Sequence, residues 1–329
     1  LSALELPKGS EVIISAVTFP TIFNIILQCG LTPVVVDAKV GTYGFDIKDV
    51  EEAITSKTRA IIAIHPLGNP VDMPRLMKLV NNKKISKHKI YVIEDNCDGW
   101  GGTIDNKCLG GFGDVSITSF HAAHIVSMGV GGGVFTNNKE IAKKVKMYRD
   151  WGRQADINKS ENKKHKTLPE DYNPRFIYEK IGYNFQILDL QAAMGRVQLR
   201  KIKKIKEARK KNFDYLVENL PHTNTDLIVA DSIKGADVCW FSFPLTYTGD
   251  RSKLLKYLEK NGIETRPMFS GRIDLHPAYA NSKFRISGKL KEANYITKYS
   301  FWISCHNHLS KADLKYIVKT FDNFFNGKN

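Results

Sequence analysis

Residues 90–102 read IYVIEDNCDGWGG, an apolar run that ends on two carboxylates and opens into glycines. A strand with one wet face alternates apolar and polar residues. An unbroken apolar run implies that both faces are covered, as in a parallel sheet under helices. The same pattern recurs upstream in EVIISAV (11–17), TPVVVD (32–37) and RAIIAIH (59–65), and downstream in VSITSF (115–120) and GGVFTN (132–137). Residues 22–28, 46–53 and 72–80 read as intervening helices, the first stopped at Gly30. This alternation predicts an α/β fold on a mostly parallel sheet.

The texture changes after Met147. Residues 154–174 are polar and lysine-rich without periodicity, which predicts a long surface loop. A long helix is expected from Ile187 to about Leu220, where Pro221 stops it. Beyond residue 226, strands such as VCWFSFPLTY mix with amphipathic helices such as ADLKYIVKTFDNFF, the composition of a smaller α+β domain. The expected division is a large domain over residues 1–200 and a small one over 201–329, beginning inside the long helix. LSALELPKGSEV reads as a helix tail entering a strand, so a further N-terminal segment is expected before Leu1.

Composition narrows the function classes. With 42% hydrophobic and 25% charged residues the chain is an ordinary globular protein. Its net charge of +15 invites a nucleic-acid reading. However, much of the excess falls in stretches such as KIKKIKEARKK (201–211), read as the wet basic face of an amphipathic helix around Ile202, Ile205 and Ala208. No nucleic-acid-binding signature accompanies it, so no nucleic-acid partner is expected. No apolar run approaches the roughly 20 residues of a membrane span, and no export leader opens the sequence. The five cysteines are odd in number with no close pair, which suggests a reducing, cytoplasmic setting and no iron–sulfur ligand set. His306 and His308 form an HxH pair without an evident third ligand, so no metal is expected.

In open α/β sheets ligands bind beyond the carboxyl ends of the strands. Asp95 ends one predicted strand, Phe19 follows another, and Ser119 and His124 follow a third. Taken singly, each has a plain reading: a helix cap for Asp95, core for Phe19, a packing imidazole for His124. Taken together, they bring an acid, a ring, a hydroxyl and an imidazole to one crevice.

Four segments carry a resemblance: EVIISAVTFPT, VIEDNCDGWGG, SFHAAHIVSMGVGG (119–132) and IGYNFQILDLQAAMGRVQL (181–199). Over nearly its whole length the chain is similar to the DegT/DnrJ/EryC1/StrS nucleotide-sugar aminotransferases. These are pyridoxal phosphate enzymes of fold type I, with a large mostly parallel sheet domain and a smaller C-terminal α+β domain. The resemblance implies that Phe19 stacks on the cofactor and that Asp95 meets its pyridine nitrogen. It also implies that Asp98 faces the phenolic oxygen or helps to position it, and that Ser119 bonds the phosphate. Asn184 would reach the phosphate of a partner subunit, hence a homodimer, and Arg266 lies in a stretch like the substrate-side segment.

His124 occupies the position of the family's cofactor lysine. An imidazole cannot hold the aldehyde covalently, yet it can move protons. Within the family this exchange marks the 3-dehydratase branch, which removes the 3-hydroxyl of nucleotide-linked 4-keto-6-deoxyhexoses for deoxysugar and O-antigen synthesis; MYRDWGR (147–153) and FWIS (301–304) also resemble that branch. One kind of member carries an iron–sulfur cluster on cysteines just after DWGR; the other has none and takes its amine from glutamate. DWGRQADINKS has no cysteine, which favours the cluster-free kind. The resemblance thus implies pyridoxal or pyridoxamine phosphate as cofactor, glutamate as amino donor and His124 as base. Departures are Val130 in place of a glutamate and Ile125 in place of a second histidine. A lysine-free aminotransferase, or a non-catalytic binding protein that keeps the fold, are the alternatives.

Overall fold

The computed structural model describes residues 1–82, 84–154, 167–169, 171–221 and 226–327. Each apolar run becomes a strand: β1 (Glu11–Ser15), β2 (Thr32–Val36), β3 (Thr58–Ile64), β4 (Tyr91–Asp95), β5 (Val115–Ser119) and β6 (Gly132–Phe135). A seventh, β7 (Arg285–Ile286), returns from the C-terminal part of the chain, giving the order β7-β2-β1-β3-β4-β5-β6. The pairings are parallel except β5–β6, where the chain turns straight back as an antiparallel edge.

Alternation of side chains across the pleat divides the aliphatic runs between two cores. On one face Val12, Ile14, Ala60 and Ile62 pack with Ile22, Phe23 and Ile26 of helix α1 (Pro20–Gln28). On the other, Ile13, Val34, Ile61 and Val92 pack with Val50 and Ala53 of α2 (Ile47–Ala53) and with Met73 and Leu76 of α3 (Met73–Val80). Burial on both sides is the reason these strands read as continuous apolar runs. Each buried Val, Ile, Leu, Phe or Met among them contributes on the order of 1.5–3 kcal/mol. Caps fix where the helices begin: the side chains of Asp46 and Asp72 accept N–H bonds from Lys48 (2.9 Å) and Arg75 (3.0 Å). α1 starts two residues earlier than the sequence suggested, because Pro20 suits the first turn.

α4 (Lys139–Arg149) leads to the stretch expected as a long loop, whose residues 155–166 and 170 lie outside the described residues. The long helix follows as α5 (Asp189–Asn219). It carries Phe213 and Leu216 into a third core with α6 (Arg251–Lys260), α8 (Lys311–Phe325) and the sheet of Leu227–Val229, Phe243–Tyr247, Arg266–Pro267 and Ser300–Ile303. The expectation of a wet basic face over 201–211 needs one correction. Arg209 is buried, because it falls in the same helical stripe as Ile205, Asn212, Phe213 and Leu216. The C-terminal part also returns to the first core through Met268, Ile273 and, on α7 (Lys291–Tyr299), Ala293 and Ile296. No helix among the described residues is long and apolar enough to cross a membrane.

Candidate active site

The strand order reverses at β1, which lies between β2 and β3. Such a switch point leaves a crevice at the carboxyl ends of the strands. β4 delivers Asp95 there, 8% exposed, its Oδ1 accepting the Cys97 N–H at 3.1 Å. That turn brings round Asp98, whose Oδ2 accepts the Leu67 N–H at 3.2 Å. Leu67 and Gly68, just past β3, both adopt positive φ (51° and 90°). At Gly68 a Cβ would lie 2.4 Å from the Cys239 carbonyl oxygen, so only glycine lets the 239–241 segment approach. That approach is closed by the Phe241 N–H, which donates to the Leu67 carbonyl at 2.9 Å.

β5 ends on Ser119, and the turn after it carries His124. The imidazole Nδ1 lies 3.3 Å from the Ser119 carbonyl oxygen, and Nε2 lies 3.7 Å from Asp98 Oδ1. A carbonyl only accepts, so Nδ1 carries the hydrogen, and in the neutral ring Nε2 keeps its lone pair. The electrostatics agree with a neutral ring. Burial holds the His124 pKa below its ordinary value, and nearby His121 adds to this, against the raising effects of the Ser119 carbonyl and Asp95. Burial likewise raises Asp95, opposed by its bonds with Cys97. Asp98 is pushed up to about 7, first by burial and then by the charge of Asp95. A lowered imidazole beside a raised carboxyl is a pairing that suits proton exchange.

Phe19 caps α1 in extended conformation, and the residue is 59% exposed. Ser119 Oγ accepts the His121 N–H at 3.2 Å. Asp95, Asp98, Ser119 and His124 are thus joined by direct contacts or short turns, with Phe19 on the crevice side of β1. Asn184 is exposed and bridges to Asp150 through its backbone. Arg266 is exposed, with its guanidinium on Glu264. No bond joins either of these two to the strand-end group among the described residues. Residues just beyond Arg266 do border the crevice, since the Ser270 and Ile273 N–H groups donate to the Thr18 (3.4 Å) and Ala16 (2.9 Å) carbonyls.

Sequence reasoning missed several neighbours. The Phe241 ring stands edge-on to His124, with centroids 5.8 Å apart. Trp100 donates its indole N–H to Thr118 Oγ1, which donates to the Asn96 carbonyl at 3.1 Å, tying the turn after β4 to β5. Behind the strand end, Glu94 pairs with His65 at 3.4 Å. Spacing within a strand reveals none of these, because each is a contact between segments distant in sequence. No three metal-ligating side chains are gathered as a metal site among the described residues.

A model of the DegT/DnrJ/EryC1/StrS aminotransferase family matches residues 1–322. The lipopolysaccharide biosynthesis protein RfbH of Salmonella typhimurium is 35% identical, across 99% of this chain and 78% of that protein. The dTDP-4-dehydro-2,6-dideoxy-D-glucose 3-dehydratase of Saccharopolyspora spinosa is 34% identical, across 98% and 73% respectively. A crystal structure of GDP-4-keto-6-deoxymannose-3-dehydratase with a trapped PLP-glutamate geminal diamine superposes with a TM-score of 0.85 at 26% identity, covering 96% of this chain and 81% of that one.

Proposed function

The chain belongs to the DegT/DnrJ/EryC1/StrS aminotransferase family, and from that premise we propose that it is a pyridoxal phosphate-dependent 3-dehydratase of a nucleotide-linked 4-keto-6-deoxyhexose. The fold is that of the fold type I pyridoxal phosphate enzymes, and the family depends on this cofactor. What supports the finer reading is His124: an imidazole with its Nε2 toward Asp98, at the position that by resemblance is the family's cofactor lysine. Two of the relatives described above are themselves named 3-dehydratases.

The residues present fit the cofactor. Asp95 is a buried acid that accepts hydrogen bonds only from Cys97 among the described residues, so it has capacity for a ring N–H. The exposed Phe19 ring offers a stacking face, and the Ser119 hydroxyl offers a phosphate donor. In this reading Asp98 meets the phenolic oxygen, and Asn184 reaches the phosphate bound by a second copy. A homodimer is further supported by the apolar stretch around Asn184: Ile181 is 98% exposed, Leu188 69% and Leu190 72%, a run that water alone would not favour.

When bound, the pyridoxamine form would supply an amine to the sugar ketone and, from the methylene that carries it, the electron pair that expels the C3 hydroxyl. His124 Nε2 takes up a proton as neutral imidazole and returns one to the departing hydroxyl. Asp98 steadies the imidazole and exchanges protons with it. Asp95 keeps the ring nitrogen protonated. Arg266, in this reading, contacts the nucleotide-sugar substrate. Overall, glutamate loses two electrons and becomes 2-oxoglutarate, the sugar loses one oxygen at C3, and the nitrogen leaves as ammonia.

The test is incubation of the full-length protein with pyridoxal phosphate, L-glutamate and a GDP- or CDP-linked 4-keto-6-deoxyhexose. The expected result is ammonia equimolar with 2-oxoglutarate. A 4-amino sugar without ammonia would identify an aminotransferase instead. No turnover and no cofactor binding would identify a binding protein.

A further inference from the structure

α5 is lined with lysines and arginines that point to water, yet Arg209 is 3% exposed. No carboxylate pairs with it among the described residues, and its Nε has no partner. Burying a guanidinium this way is costly, and a methionine would fill the same volume without the desolvation penalty. What Arg209 holds, besides standing beside the Cys305 thiol, is backbone. Its Nη1 donates to the Phe241 carbonyl at 2.6 Å and to the Trp240 carbonyl at 3.3 Å. Its guanidinium carbon lies 5.9 Å from the centre of the Phe241 ring.

Phe241 is therefore pinned at both ends of its own residue. Its N–H is held by the Leu67 carbonyl and its carbonyl by Arg209. Between the pins its ring stands edge-on to His124, and also to Trp302 at 6.0 Å. The Leu67 N–H in turn binds Asp98, and Asp98 faces His124, so the contacts close into a ring of Phe241, Leu67, Asp98 and His124, held from outside by Arg209 at Phe241.

The geometry points to Arg209 as a positioning residue for the proton-moving imidazole: it fixes the wall against which His124 stands. This deepens the reading of His124 as the base and rests on it. Arg209 touches neither His124 nor the crevice; it acts through Phe241. Its charge also bears on Asp98, favouring the ionised carboxylate against burial and the neighbouring Asp95.

The test uses the full-length protein without cofactor, so its outcome is separate from the success of the dehydratase assay. Histidine ring carbon–proton correlations are recorded, with the His124 signal assigned from its loss in His124→Asn. Phe241→Leu removes the ring and is expected to displace that signal. Arg209→Met, with Phe241 intact, is expected to displace it in the same direction while the His65 signal stays in place. Combining the two substitutions is expected to add little. In a turnover assay Arg209→Met is expected to lower kcat by about 10- to 100-fold with little change in KM, the mark of a misplaced group. Arg209→Lys keeps the charge without the fork, and is expected to fall between Arg209→Met and the parent in both readouts. If Arg209→Met does not fold, Arg209→Lys decides the matter through the same signal. A His124 signal unmoved by the Arg209 substitution but displaced by Phe241→Leu overturns the proposal, and so does a His124 signal unmoved by Phe241→Leu.

Discussion

Glu94 and Asp95 are neighbours in one strand, and the pleat sends them to opposite faces of the sheet. Glu94 is fully buried and fully partnered. It pairs with His65 and accepts N–H bonds from Gly110 (2.8 Å), Phe112 (2.6 Å) and Gly113 (2.6 Å). Burial pushes it up, yet those bonds prevail and hold its carboxyl below the ordinary range. Asp95, one residue on, and Asp98 are nearly as buried but have few donors, and both are raised. The contrast separates two uses of a buried acid. One anchors the 110–113 turn; the other is left short of partners, which is the state expected of a group awaiting a ligand or a proton.

Substitutions can break this contrast. The largest effect is expected at His124, where His124→Asn should lower turnover by about 10²–10⁴-fold, the usual worth of a positioned acid–base group. His124→Lys should hold the cofactor covalently, seen as an adduct fixed to the protein by borohydride, while dehydration is lost. Unimpaired dehydration in either variant would remove His124 from the chemistry. Next come the two neighbours. Glu94→Gln should cost stability by about 1–3 kcal/mol through lost charge-assisted bonds. Asp95→Asn should leave stability unchanged or improved, but weaken cofactor binding and turnover. Thermal melts and cofactor titration of the pair would blur the distinction if both variants lost stability alike.

A smaller effect follows from Asp98. Its carboxyl is raised in the folded protein, so the folded state is favoured while the group is protonated, and that stability is lost as pH rises from its ordinary 3.8 through about 7. Asp98→Asn should therefore raise the melting temperature of the cofactor-free protein by a few degrees above pH 7, with the gain fading to nothing below about pH 4. A gain independent of pH would contradict the assignment. The smallest effect concerns His124, whose lowered pKa places the acid limb of kcat/KM below the ordinary histidine value of 6.5. A limb above that value would mean the imidazole is held charged.

Much of the sheet was legible because strands covered on both faces cannot hide their aliphatic composition; β1 to β5 appear where VIIS, VVV, AIIAI, VIED and VSITS stand. β7 was not legible, since two residues carry no period and its place depends on pairing with β2. The strand-end residues Phe19, Asp95, Ser119 and His124 could be found from where each run stops. Phe241 could not, because WFSF reads simply as core until Gly68 lets it approach Leu67. Arg209 stood in plain sight as a fault in the stripe of Ile205, Asn212, Phe213 and Leu216, concealed by the many solvated lysines beside it.

The central claim is that this crevice exchanges the C3 hydroxyl for hydrogen. The most direct measurement is proton NMR of the sugar after turnover in D2O with pyridoxal phosphate and glutamate. The account predicts a C3 methylene bearing solvent deuterium beside an intact C4 ketone. A product that keeps its C3 hydroxyl and carries nitrogen at C4 would contradict it.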